Sequence, residues 1–399
     1  VTPPGLVPWA KVSLIEASPF DTLTAYAAIN TFRLDDLRAH IYRTRDGGRT
    51  WTHITSGIPD AGVVNAVRED PVRRGLLFAG TEREVYFSID DGDHWQSLRL
   101  NMPATSIRDL VVKDDDLVAG THGRSFWILD DLTPLRQLSQ ATAASPMTLF
   151  APQRATRVRW NMNTDTPLPP DEPAGENPPD GAILNYWLGD GASGAVTLEI
   201  LDSAGALVRR FSSTDEPEQP IPGQNISPLW FRPPQVLSGA PGMHRFVWDL
   251  RYPVPAGLSR GYPLAQIVGR TVPEPNGPAV PPGRYRVRLT AGDRAEEQGL
   301  VVRIDPRVTA SSTDLLRKFL IEKQIAGWLE WQSGALAALR SRRGGGEADQ
   351  LEQRLARLGS ELNSVYRVVD EVDAAPTAEV ERQYARLEGQ VAELRARIR

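Results

Sequence analysis

Two stretches carry the side chains best suited to chemistry. Thr44-Arg45-Asp46-Gly47-Gly48-Arg49-Thr50-Trp51 and Ser88-Ile89-Asp90-Asp91-Gly92-Asp93-His94-Trp95 share the pattern Ser/Thr-x-Asp-x-Gly-x-x-Trp, with starts 44 residues apart. A pair of carboxylates is the working set of a glycosidase, one as acid and one as base or nucleophile. Asp46 and Asp90 invite that reading, but the rest of the pattern is turn chemistry. The Asp accepts backbone N–H groups inside a turn, the Gly permits φ > 0, and the Trp folds back to bury its ring. Each Asp is accounted for in its own turn, and equivalent positions of successive repeats lie too far apart to flank one bond. Thr44, Asp46, Gly48, Trp51, Ser88, Asp90, Gly92 and Trp95 are therefore expected to be structural, and no residue is assigned a catalytic role.

Other clusters are weaker. Asp114, Asp115 and Asp116 offer hard oxygens to Ca²⁺, although an acidic turn between strands is more often simply solvated; no other cofactor or metal is expected. Arg124 can hold a carboxylate in bidentate fashion and Trp127 can stack on a sugar face, so His122, Arg124 and Trp127 form a candidate ligand site. The same Gly-Thr-x-Gly-Arg run suits strand packing equally. Asp35 and Asp36, near Arg38 and His40, form a second such cluster. The five His are scattered. No His-Glu-x-x-His zinc signature, phosphate-cradling Gly-rich loop or Gly-x-Ser-x-Gly elbow occurs.

Hairpins must position these residues, since each motif lies between strand-like runs. Leu77–Thr81 matches Leu117–Thr121 at an offset of 40, and Val85–Asp91 matches Ser125–Asp131. The last copy loses the Gly and the Trp. Strands are expected near Val63–Arg68, Leu76–Gly80, Val85–Ile89 and Trp95–Leu98, preceded by Ala25–Ile29 and His40–Thr44. Repeats of about 40 to 45 residues with four strands each predict a β-propeller. Residues 1–140 supply about three blades, fewer than the roughly four to eight of a closed ring. Missing N-terminal blades, or another chain, would complete it, because open sheet edges invite pairing.

Residues 141–310 begin with a Pro-, Asn- and Asp-rich stretch, irregular and exposed over 165–179. Strand runs follow at Ala182–Leu188, Val196–Leu201, Leu207–Phe211, Met243–Leu250, Tyr285–Thr290 and Leu300–Ile304, the spacing of an immunoglobulin- or fibronectin-like β-sandwich. The Pro-rich segments Phe211–Met243 and Pro253–Pro282 are expected to wrap it or to contact the propeller. Residues 311–399 predict a three-helix antiparallel bundle. Ser311 or Ser312 caps the first helix, which runs to about Arg343 and ends at Gly344-Gly345-Gly346. It places Ile321, Ile325, Trp328, Gln332, Ala335 and Leu339 on one face, widened by Leu316, Leu320 and Leu329. The second carries Leu351, Leu355, Leu358, Leu362, Val365, Val369 and Val372 at heptad spacing. Pro376 opens the third, with Val380, Tyr384, Leu387, Val391, Leu394 and Ile398. The bundle either packs internally or serves a homo-oligomer.

Composition sets the outer limits. With 399 residues, 41% hydrophobic and 24% charged, the chain suits roughly two or three domains. A net charge of -5 argues against a nucleic-acid partner. The absence of Cys removes disulfides and thiolate metal sites. No apolar run approaches the about 20 residues of a membrane span. The chain starts at Val1 rather than Met, so a processed or excised piece is expected.

The motif is similar to the Asp-box of sialidases and sortilin-type receptors. The succession Arg68-Glu69-Asp70-Pro71, Gly75–Glu82, the second motif, Val111–Leu117 and Thr121–Asp131 resembles the end of the propeller in large secreted bacterial Asp-box (BNR) repeat proteins. Those are commonly labelled sortilin-like or "glycosyl hydrolase". Gly242–Leu250 and Pro282–Thr290 resemble accessory sandwich modules of secreted bacterial proteins. The resemblance implies a mainly β chain, an Asp-box at the blade periphery without a catalytic part, a glycan or protein ligand, and a secreted or periplasmic bacterial location. A complete sialidase would need an arginine cluster and a Tyr–Glu pair spread over more blades. Two functions stay open. One is a non-catalytic binding and assembly module. The other is the C-terminal part of a glycoside hydrolase whose catalytic carboxylates lie mainly in missing N-terminal blades.

Overall fold

A computed structural model describes residues 2–159, 175, 177–191, 194–223, 226–263, 266, 268–341 and 346–398. The protein is mainly β, with several sheets and a helical C-terminal part. It separates into two compact units, Val1–Ser145 and Pro146–Arg399.

The first unit is a series of antiparallel sheets in chain order. The first sheet holds β1 (Lys11–Ala17), β2 (Ala25–Asn30), β3 (Ile41–Thr44) and β4 (Thr52–His53). The second holds β5 (Val64–Glu69), β6 (Leu77–Thr81), β7 (Val85–Ser88) and β8 (Gln96–Ser97). The third holds β9 (Ser106–Lys113), β10 (Asp116–His122) and β11 (Phe126–Leu129), with no fourth strand among the described residues. Two short helices follow, α1 (Thr133–Gln137) and α2 (Gln140–Ala144). Strand β1 was not foreseen. Its register shifts between Val12 and Leu14, and such a bulge breaks the alternation by which a strand is read.

One cross-strand row recurs in every sheet. Ile15–Ala27–Tyr42, Val67–Ala79–Tyr86 and Leu110–Ala119–Trp127 are each directly paired. Neighbouring strand residues point to opposite faces, so the other face carries Glu16–Tyr26–Arg43, Arg68–Phe78–Phe87 and Val111–Val118–Ile128. One core joins Tyr26 and Ile41 to Val67, Ala79 and Tyr86. Another joins Phe78 and Phe87 to Leu110 and Ala119, with Trp127 packed against it. The second row of each sheet thus receives the first row of the next. At the ends of the series single members of the rows are exposed, Ile15 at 63%, Val111 at 48% and Ile128 at 57%, while Ala27 is buried and Tyr42 and Val118 are half-buried. The 40-residue offset holds only as far as Thr121. The β10–β11 turn is one residue longer than the β6–β7 turn, so Val85 corresponds to Phe126, each paired with the equivalent Gly80 or Gly120. Gly123 at φ 90 and Ser125 at φ 56 accommodate the extra residue.

The second unit contains β12 (Met147–Leu149), β13 (Ala155–Arg157), β14 (Ala182–Leu188), β15 (Val196–Leu201), β16 (Leu207–Ser212), β17 (Gly242–Trp248), β18 (Gly283–Ala291) and β19 (Arg294–Ile304). They form two sheets, β12-β14-β17 and β13-β19-β18-β15-β16. Alternate residues, among them Leu184, Tyr186 and Trp248 from one sheet and Leu198, Ile200 and Val287 from the other, share one core. Strands β12 and β13 have three residues each, too few to announce themselves in a Pro-rich stretch. Of the stretch 165–179, only 175 and 177–179 lie within the described residues, and all four are exposed.

Helices α3 (Ser312–Ser341), α4 (Gly346–Glu371) and α5 (Ala378–Arg397) complete the unit; Gly344 and Gly345 lie outside the described residues. Thr377 caps α5, its hydroxyl accepting from Val380 N at 3.2 Å. Arg340–Glu352 at 2.7 Å joins the end of α3 to the start of α4, and Arg354–Glu393 and Arg386–Glu361, both 2.7 Å, run α5 antiparallel to α4. The heptad reading holds to Leu362 and again at Val369, which is buried. Between them Tyr366 is fully buried and Val365 only partly so, and Val372 lies beyond the end of α4, exposed. An untwisted helix gains on a 3.5-residue repeat in this way. Leu316 and Leu320 are exposed as well, because the first turns of α3 bury Leu315, Lys318, Phe319 and Glu322. The 253–282 segment is pinned onto α4, with Ser259 N donating to Asn363 Oδ1 at 2.6 Å and the Tyr366 hydroxyl to Asn276 O at 2.7 Å. Among the described residues no helix is long and apolar enough to cross a membrane.

Candidate functional site

In the first motif the hydroxyl of Thr44 accepts from Gly48 N at 2.9 Å. The Asp46 carboxylate accepts from Thr44 Oγ1 at 2.9 Å, from Arg49 N and Thr50 N at 2.9 Å, and from Thr50 Oγ1 at 2.7 Å. In the second motif Ser88 Oγ accepts from Gly92 N at 2.9 Å. Asp90 accepts from Ser88 Oγ at 2.7 Å and His94 N at 2.9 Å, and lies 2.7 Å from His94 Nδ1. Both carboxylates are taken up by their own hairpins. The N–H and hydroxyl of Thr50, then Thr44 and Arg49, hold Asp46 down at about 2. Burial pushes Asp90 up, but its bonds from His94 and Ser88 outweigh this and leave it below its ordinary value.

A pH dependence follows. A carboxyl depressed in the folded state stabilises it fully above the unfolded value of 3.8 and loses that contribution as pH falls through about 2. In urea unfolding of the first unit the Asp46 contribution should be constant above about pH 5 and fall away from about pH 4 downward, below the separate loss that His53, depressed by burial, brings as pH falls under its ordinary value of 6.5. Asp46→Asn should make that acid limb shallower without removing it, since Asp36 and Asp90 are depressed as well; an unchanged limb would contradict the assignment.

Trp95 links one sheet to the previous one. It is buried, its indole N–H donates to Ile54 O at 2.8 Å, and its backbone N donates to Ser56 O at 2.8 Å. Gly57 passes so closely at φ 100 that a Cβ there would meet Trp95 O at 2.2 Å. Trp51 is half-buried.

Beside Asp90 lies a clamp that the motif does not announce. Asp91, at φ 63, accepts from the Tyr26 hydroxyl at 2.5 Å and pairs with Arg45. Arg43 pairs with Asp91 and Asp93, each at 3.1 Å. Burial, then the bond to Asp91, pushes the Tyr26 hydroxyl above its usual range. It is a hydrogen-bond donor between sheets, not an ionised nucleophile.

The remaining expected residues do not gather into one site. Arg124 and His122 are exposed in the β10–β11 turn. Trp127 Nε1 donates to Arg124 O at 3.0 Å, and its half-buried ring packs against the core. Asp35 ends a single 3-10 turn at φ 58 and is exposed. Asp36 takes a bidentate bond from Arg38, both arms 2.9 Å, and lies 2.9 Å from His40 Nε2; Arg38 and then His40 depress its carboxyl. Asp114 pairs with Lys113 at 3.0 Å, Asp115 with Arg136 at 2.5 Å, and Asp116 accepts from Asp131 N at 3.0 Å. The three carboxylates turn to three partners. Among the described residues no group of three or more His, Asp or Glu side chains converges to hold a metal.

In the second unit, an unforeseen charge cluster lies between the sheets and the helices. Arg157 Nη2 meets Asp373 at 2.9 Å, and Arg159 lies 3.3 Å from both Asp370 and Asp373. Arg251 meets Asp370 at 2.9 Å and donates to Gly277 O at 2.8 Å. Lys318 pairs with Glu322 at 3.1 Å. Burial pushes Lys318 down and Glu322 up, each held back by the other. Burial would also raise Asp370, but Arg251 and then Arg159 leave it depressed. A cavity of about 60 Å³ adjoins the cluster, lined by Arg157, Arg159, Arg251, Asp180 and Asp249. Its guanidinium groups face carboxylates or carbonyls, while Arg157 Nε, Arg159 Nε, Glu322 Oε1 and Asp373 Oδ2 are buried without a hydrogen-bond partner. The sequence signal was slight: Lys318 and Glu322 sit four apart on the buried face of α3. A wider groove of about 710 Å³ between α3 and α4 is lined by Gln332, Leu336, Gly359, Asn363 and Arg367, among others. It holds no acid–base pair.

No protein-family model matches the chain. No curated protein matches it either. Among solved structures it is similar to an ancestral GH74 enzyme, with 20% identity, 30% of this chain and 15% of that one covered, and a TM-score of 0.25. A GH74 enzyme of Niastella koreensis gives 15% identity, 49% and 29% coverage and 0.26. YCF48 bound to D1 peptide gives 17%, 30% and 36%, and 0.24. The chain spans 15% to 36% of the length of these structures. Likenesses this slight carry no argument about its activity.

Proposed function

We propose that the chain is a non-catalytic binding and assembly module of an Asp-box propeller protein. In this reading the three sheets are blades of an incomplete ring, the two-sheet body is an immunoglobulin-like sandwich, and the helices are a three-helix antiparallel bundle. Its ligand is a glycan or a protein, and its location is secreted or periplasmic. One observation supports the reading above the others. In both motifs the carboxylate is filled by donors of its own hairpin, so neither is free to protonate a leaving group or to activate water.

The test is a panel of glycans incubated with the purified chain, with reducing-end release measured beside saturable retention on glycan and protein arrays. Retention without release is expected. Release that Asp46→Asn or Asp90→Asn abolishes, in variants that remain folded, would overturn the reading in favour of a hydrolase.

A further inference from the structure

We propose that the small cavity of the second unit is a carboxylate site, in which Arg157, Arg159 and Arg251 bind one carboxylate group. Its source is either a free acid of formate or acetate size or the acidic tip of a larger molecule. The site is separate from the hairpin motifs and does not rest on the function proposed above.

The first support is the state of the arginines. Arg157 is only 8% exposed. Its Nη1 donates to Val280 O and its Nη2 to Asp373 Oδ1 at 2.9 Å, and its buried Nε has no partner. Arg159 Nη2 donates to Asp370 at 3.3 Å; its Nε lies 3.3 Å from Asp373 but makes no hydrogen bond there. Arg251 spends a single nitrogen, Nη1, on both Asp370 and Gly277 O. Three guanidiniums thus line one cavity with N–H groups to spare. Leaving a buried donor unpaired is costly, so the cavity calls for an acceptor.

Chemistry narrows the occupant. The unpartnered acceptors of the cluster, Glu322 Oε1 and Asp373 Oδ2, belong to residues that do not line the cavity. The lining acids are Asp180 and Asp249, which keep solvent contact on one side and so open the cavity there. The protein packed around them desolvates and raises both carboxyls, against the pull of Arg232 and Arg270 on Asp180 and of Arg209, Arg251 and Arg232 on Asp249. A raised carboxyl leans toward its protonated form, which donates. The spare capacity around the cavity is therefore that of donors, and the guanidiniums, which cannot shed their protons, repel a cation. Their planar fork matches the two oxygens of a carboxylate. Size agrees. About 60 Å³, at roughly 10–15 Å³ for each water-sized position, suits formate or acetate and is tight for sulfate or phosphate.

The line width of carbon-13 formate, followed by NMR with the full chain at neutral pH and fixed ionic strength, tests this. Saturable broadening with a Kd on the order of 1 mM is expected, a modest affinity because so small a ligand has few atoms to bind with. Acetate should sharpen the line again by displacement, and sulfate at the same ionic strength should not. Glucuronate separates the two sources: displacement assigns the site to the tip of a larger acid, and no displacement assigns it to a free small one. Arg159→Gln leaves Arg157 on Asp373 and Arg251 on Asp370, and should weaken binding about tenfold or more. Ala279→Leu, which fills the cavity and leaves every charge in place, should abolish binding. Circular dichroism checks that both variants are folded. A line that stays sharp up to about 50 mM formate would overturn the proposal and leave the cavity to water. Broadening that sulfate reverses as well as acetate does, or that survives both substitutions, would also overturn it, in favour of diffuse attraction to surface arginines. The displacement series uses the unaltered chain, so it decides the matter even where a variant fails to fold.

Discussion

Asp370→Asn is expected to destabilise the unit Pro146–Arg399 by about 3–5 kcal/mol, the cost of leaving a buried charge without its partner. Asn keeps the shape and removes the charge, so Arg251 loses its carboxylate and Arg159 loses one of two, keeping Asp373. A guanidinium cannot escape by shedding its proton at accessible pH. Lys318 and Glu322 behave differently. Burial has already driven both toward their neutral forms, so removing the pair together removes a cost as well as an attraction. K318M/E322L is accordingly expected to be neutral or more stable by about 1–4 kcal/mol. Urea melts followed by helical circular dichroism compare the two, since the long helices all belong to this unit. A loss below about 1 kcal/mol for Asp370→Asn would mean that water screens the cluster as it does at a surface.

The second large effect belongs to the first unit. Trp95→Ala should cost about 3–5 kcal/mol, the range for emptying a buried aromatic site. It removes the ring from the core and the indole donor from Ile54 O together. Trp51→Ala, at the same motif position, should cost roughly half as much, since Trp51 is only half-buried. Equal losses would show that the motif acts within each hairpin alone, not between successive sheets.

The hairpin motifs were legible because their chemistry is local. Thr44 to Trp51 and Ser88 to Trp95 contain nearly every partner that the turn uses. The mainly β body and the helical end were legible from periodicity. What escaped depends on distance or on broken rhythm. Strand β1 has a bulge, and α4 departs from its heptad at Tyr366, where the helix outruns a 3.5-residue repeat. Asp91 occupies an unspecified place in the motif, yet its partners Tyr26, Arg43 and Arg45 come from the preceding repeat. The charge cluster draws Arg157 and Arg159, Arg251, Lys318 and Glu322, and Asp370 and Asp373 from four separate parts of the chain. No spacing rule unites them; only folding brings them together.

The paired rows of the first unit make its sheets interchangeable as parts. Every internal boundary is written in the same two lines, an aliphatic–alanine–aromatic row meeting the row on the reverse of its neighbour. A gene that duplicated or lost one whole repeat would present matching surfaces on both sides of the change. Loss of half a repeat would leave two surfaces facing the wrong way. Selection on such a gene can therefore lengthen or shorten the array in whole steps without redesigning a core.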